Sequence, residues 1–138
     1  MKKLDAIMSN ILRSHSLWII ARILLITIFL SSGLAKLIDF EGGLQEMATA
    51  NLHPPVLFNI LSIITLLTGS ILILIDRLVW LAAGILSVFM FLTIVIVHTF
   101  WNNPSEGFEV ALFFALEHIT VIGGLMITAI ASELKKHA

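Results

Sequence analysis

No cysteine occurs in the 138 residues, which removes disulfides, thiolate metal sites and dithiol exchange within the chain. Charge is nearly as scarce. Asp, Glu, Lys and Arg together make up 12% of the chain against 59% hydrophobic residues, and the mean hydropathy is +1.06. A water-soluble domain of this size needs far more polar surface than that. The formal net charge of -1 argues against the basic footprint with which proteins grip nucleic acid. Missing as well are a phosphate-cradling glycine loop, a nucleophile elbow, a pair of catalytic carboxylates, any long internal repeat and any strand-period alternation. What is left is one domain whose solvent is mostly lipid.

Four apolar runs, at about 17–37, 56–75, 78–97 and 110–131, each approach the ~20 residues that a bilayer crossing takes. The first follows a basic start and contains Gly33-Leu34-Ala35, which mimics a cleavage site. Three further spans follow it, so it reads as a retained transmembrane helix. The fold expected is an all-α membrane protein, a four-transmembrane-helix antiparallel bundle over residues 17–131. Before it, residues 1–16 set Leu4, Ile7, Met8, Ile11 and Leu12 at helical spacing among polar residues. They form either an amphipathic helix on the membrane surface or a frayed basic tail. Residues 38–55 interrupt the apolar pattern and end at Pro54-Pro55, with an interfacial helix as the expected use of Leu44, Met47, Ala48 and Leu52. Asp76-Arg77 is a very short connector, which makes the second and third spans antiparallel neighbours. Residues 132–138 read as a basic C-terminal tail.

Lys2, Lys3, Arg13, Arg77, Lys135 and Lys136 all fall on one side of this arrangement, while the other side has Lys36 beside several acids. By the positive-inside rule both termini are expected in the cytoplasm, with the protein in a bacterial-type inner membrane. Gly33, Gly69, Gly84, Gly123 and Gly124 are candidate points of close helix approach. Their expected use is packing inside the bundle, as it is for the small pairs Ser31/Ala35, Ala83/Ser87 and Gly124/Thr128 at four-residue spacing, for which a homo-oligomer face is the alternative.

One pair of residues breaks the apolar pattern. Within FFALEHITVIGGLMIT, the stretch 113–128, Glu117 and His118 stand side by side at membrane depth. An ionisable side chain there is expensive and marks a partner or a functional path. The fourth span enters from the side opposite the termini, so Glu117 lies about 10 Å below that surface. Lys36, near the same end of the first span, is at a comparable depth, whereas Arg22 lies about 21 Å further along the axis. His98 closes the third span in the same layer. The expectation is a polar or ligand-binding cluster of Lys36, His98, Glu117 and His118, with Glu117 the best candidate for any catalytic role. Arg22 and Lys36 have a plainer alternative, snorkelling to the two interfaces. His118 points about 100° away from Glu117 on an ideal helix, so the two do not share one small site equally. The spacing of these histidines and Glu117 matches no standard metal-ligand pattern, and no metal is expected.

The order of these features resembles the DoxX family of small four-helix membrane proteins. The matching pieces are Arg22 with FLSSGLAKL in the first span, a Glu-Met segment leading to HPP, HTFW at the end of the third span, and VIGGLMI in the fourth. Two departures accompany the match. Thr65 stands in TLLTGS where the family carries a Glu, and Glu117 stands where many members carry a Lys. The resemblance implies membrane subunits of quinone-linked oxidoreductases, components of redox-stress complexes, or assembly and cargo-handling proteins, with a quinone as the candidate cofactor. Three readings follow. The first is an accessory or scaffold subunit, without catalysis of its own, that binds a protein partner and holds a lipid-like ligand between helices. The second is a quinone-linked subunit in which Glu117 and a histidine move protons, and the third a small proton-coupled transporter.

Overall fold

A computed structural model describes residues 1–138 as helices joined by short connections, with no strand. Helix α1 spans Lys2–Leu12, α2 His15–Ile38, α3 Phe40–Thr49, α4 Pro55–Leu74, α5 Val79–Ile96 and α6 Ser105–Lys136, with a 3-10 turn at Phe100–Asn102. Helices α2, α4, α5 and α6 are long and apolar enough to cross a membrane. The protein is therefore a four-span membrane bundle in contact with lipid.

Local chemistry sets the helix starts. The Ser14 hydroxyl accepts from Leu17 N at 3.3 Å and opens α2, and the Asp39 carboxylate accepts from Gly42 N at 3.0 Å and opens α3. Pro55 occupies the first turn of α4, where a missing N–H costs nothing. The α4–α5 reversal puts Asp76 (φ 58°) and Leu78 (φ 50°) in the left-handed region. Asp tolerates that geometry, whereas Leu adopts it at a cost of about 1–2 kcal/mol, which the packed helices on either side must hold in place.

The helix that carries the fourth span extends past it at both ends. At the C-terminal end α6 continues helical to Lys136, where Glu133 pairs with Lys136 and His137 one turn on. At its other end α6 begins at Ser105. Its 32 residues measure about 48 Å, longer than the ~30 Å hydrocarbon layer, so both ends extend past it. The open choice for residues 1–16 resolves as a helix, since α1 is regular over Lys2–Leu12 and buries none of its residues.

Packing runs in the order α2–α4–α5–α6. Neighbours in that series touch along much of their length, whereas α2 and α6 meet over only a short stretch. Phe29, Leu66, Leu86 and Leu125, one from each spanning helix, are fully buried at the centre. Glycines permit two of these contacts. A Cβ on Gly33 would stand 2.7 Å from Leu67 Cδ2, and one on Gly69 would stand 2.8 Å from Leu86 Cγ. Gly124 makes an ordinary contact, 3.4 Å from its Cβ position to Leu25 Cδ1 on α2. Gly84 and Gly123, expected among the packing glycines, have no atom within 4 Å of where a Cβ would sit. Gly84 is exposed on the outer face of α5, and Gly123 is rotated about 100° from Gly124, so only one of that pair faces α2.

Candidate functional site

The expected four-residue cluster divides into three. Lys36 forms an ion pair with Glu46, which α3 brings back over the end of α2. Its side chain is only 13% exposed, so this cation is engaged within the chain and does not meet Glu117. The reason is local. Asp39 and Gly42-Gly43 turn the chain directly into α3, and Glu46 reaches Lys36 from ten residues away. Arg22 is buried and held within the bundle, and Lys36 pairs with exposed Glu46 at the end of α2.

His98 and His118 do come together, with ring centroids 4.8 Å apart and planes at 73°. Phe114, one turn from His118, stacks on His98 at 5.0 Å. His118 is buried and its Nδ1 has no hydrogen-bond partner. Glu117 takes the other direction. It is exposed on α6 and makes no hydrogen bond or ion pair. Adjacent in sequence, the acid and the histidine serve different faces.

At the opposite end lies a polar node that the sequence reading missed. Asp76 in the α4–α5 reversal accepts from Trp18 Nε1 at 2.9 Å and from Ser132 Oγ at 2.7 Å, which ties α2 and α6 to the same carboxylate. Arg22, 4% exposed, donates from Nη1 to the carbonyls of Ile73 (3.1 Å) and Leu74 (2.8 Å) and stands 3.9 Å from Asp76 Oδ2. Those carbonyls belong to the last turn of α4, where helical donors run out; Ile73 O also accepts from Asp76 N at 3.2 Å. The guanidinium also lies 5.1 Å from the Trp18 ring centre. The signal was present: depth arithmetic on Arg22 and the Asp76 connector puts both near the end that carries the termini.

Burial pushes the Asp76 carboxyl up, but the bonds from Trp18 and Ser132 and the charges of Arg22 and Lys136 outweigh it and hold its pKa below the usual carboxylate value. A carboxylate with a depressed folded-state pKa adds stability above its unfolded pKa and loses it as pH falls through the folded one. The thermal midpoint in detergent is thus expected to drop as pH is taken below about 4. Asp76→Asn should have a lower midpoint than wild type at pH 7 and converge on it in acid. An equal gap at both pH values would contradict the assignment.

The geometry limits the chemistry. A quinone headgroup needs a flat slot with polar atoms at both carbonyl oxygens, and His98 and His118 pack edge to face with no slot between them. The residues therefore do not fit a quinone held between the two histidines. Nowhere in the fold are three or more His, Asp or Glu side chains gathered to hold a metal ion.

Comparison with known proteins adds a family and a relative. The family model described as DoxX matches residues 17–99, more than half the chain. The inner membrane protein YphA of Escherichia coli (strain K12) is 25% identical over 114 residues, covering 83% of this chain and 81% of that protein. No solved structure matches.

Proposed function

This chain belongs to the DoxX family, and from that premise we propose that it is an inner-membrane accessory or scaffold subunit of a larger membrane complex, with both termini in the cytoplasm. The location follows from the name of its E. coli relative and from the basic residues gathered at one end. One observation carries the accessory reading: the cations inside the spans are already committed to structure. Arg22 is held by Ile73 O, Leu74 O and Asp76, and Lys36 by Glu46. Fully satisfied polar groups of this kind fix helix positions. The centre around Phe29, Leu66, Leu86 and Leu125 is tightly packed and apolar.

Purification from native membranes in mild detergent is expected to yield a second polypeptide at fixed stoichiometry. The purified chain in liposomes should show no proton flux under an imposed pH gradient. Flux that Glu117→Gln abolishes would replace the scaffold with a transporter.

A further inference from the structure

Glu117 is the one carboxyl group within the span 110–131, and it makes no hydrogen bond or ion pair in the chain, although its charge acts on nearby His98. It lies eight residues, about 12 Å, beyond Glu109 along α6, after the apolar run Val110–Leu116. Its direction is readable from Gly124, which is seven residues on, shares its azimuth within about 20°, and touches Leu25 of α2. Glu117 therefore looks toward the flank of α2. The two helices run antiparallel, so the residue across from it is near Ser32, seven on from Leu25. Ser32 makes no side-chain hydrogen bond, and α2 and α6 are in contact over only a short stretch. Since the two helices meet over only a short stretch, the flank between them in the half away from the termini reads as a lateral groove, with the Glu117 carboxyl on the α6 side and Ser32 on the α2 side.

We propose that this groove takes a transmembrane helix of another protein that carries a lysine or arginine at the depth of Glu117. The inference rests on the accessory-subunit reading and names its contact. Charge complementarity selects the occupant. Lipid tails offer a carboxyl group neither charge nor donor, and leaving it unsatisfied in hydrocarbon is unfavourable. A second copy of this chain has no cation to give at that depth, because Lys36 is closed off by Glu46 and Arg22 is buried at the far end. A helix with one basic side chain supplies what is missing, and Gly124 and Ser32 leave it room to approach.

The probe is a set of model transmembrane peptides with the protein in phosphatidylcholine vesicles. Each peptide has a 20-residue Leu/Ala span, with lysine seven residues from its N-terminal end, seven residues from its C-terminal end, or absent. The chain lacks cysteine, so one introduced at Ala138 takes a single fluorophore for energy transfer. One lysine peptide is expected to associate about tenfold more tightly than the all-apolar peptide. Glu117→Gln should erase that preference without shifting the thermal midpoint, since the side chain is exposed and makes no hydrogen bond or ion pair. Ser32→Phe, which fills the groove from α2, should weaken association while leaving the carboxyl in place. Equal association of lysine and apolar peptides overturns the proposal, as does a preference that survives Glu117→Gln. Energy transfer between two labelled copies that depends on Glu117 overturns it in favour of a homodimer. A lysine preference without any stoichiometric partner from native membranes would sink the accessory reading and leave the groove standing. The converse would sink the groove alone.

Discussion

Arg22→Leu is expected to remove about 3–5 kcal/mol of stability, the largest effect of any single substitution in the bundle. Three carbonyls lose an Arg22 donor at once, those of Leu74 (2.8 Å), Ile73 (3.1 Å) and Trp18 (3.4 Å), and the Asp76 carboxylate 3.9 Å away loses its neighbouring cation. The side chain is 5% exposed, so water does not replace what is lost. Arg22→Lys should fall between wild type and Leu, because an ammonium carries the charge but lacks the Nε donor to Trp18 O and the planar group over the Trp18 ring. Thermal scanning of the three proteins in one detergent is the measurement. If Arg22→Leu melts within a degree or two of wild type, the node is ornamental and the helix ends are held some other way.

The second large effect is steric. Gly69→Leu puts its first carbon 2.8 Å from Leu86 Cγ, with Leu86 Cδ1 and Cδ2 at 2.9 Å. Leu86 is fully buried and has nowhere to turn. Forcing α4 and α5 apart there is expected to cost at least the 1–3 kcal/mol typical of an overfilled core. Gly84→Leu is the matched control on the neighbouring helix, exposed and with no atom within 4 Å of its Cβ position. It should change the midpoint by less than about 0.5 kcal/mol in equivalent stability. Equal losses at both positions would mean that helix propensity, rather than the α4–α5 contact, governs the result.

These contrasts mark what was readable from composition and what was not. Span number and helical class follow from hydropathy, because the bilayer forces each apolar run to satisfy its own backbone. Which glycine matters does not follow, since Gly69 and Gly84 look alike as letters and differ only in what lies across from them. The polar cluster was misread for a related reason. Depth arithmetic placed Lys36, His98, Glu117 and His118 in one layer, but a layer is a disc, and azimuth decides who meets. His98 and His118 share a direction, Glu117 has another, and Lys36 was taken by Glu46 on a segment read only as an interruption. The same arithmetic, applied at the other end, would have paired Arg22 with Asp76. Trp18 and Ser132 carried no such signal, because each becomes informative only once Asp76 is known to stand between them.

The departure at Glu117 also takes on a physical meaning. Where the resemblance leads one to expect a base facing an acid inside the bundle, this chain has Thr65, partly buried, and an acid on an open flank. Such an exchange moves an unmet charge from the interior of one protein to its boundary. That is the position from which it selects neighbours.

The node around Asp76 also bears on how the chain is made. Arg22 enters the membrane with the first long helix, yet its acceptor at Leu74 lies 52 residues later in the chain. Ser132, which closes the remaining carboxylate oxygen, comes 56 residues after Asp76. A nascent chain with α2 inserted and α4 unfinished thus carries an unmatched guanidinium, and one with α5 complete still has an incomplete carboxylate. Maturation of this end waits for the last helix. Truncation within α6 before Ser132 should leave one Asp76 carboxylate oxygen without its hydroxyl donor and the end of the bundle less firmly tied.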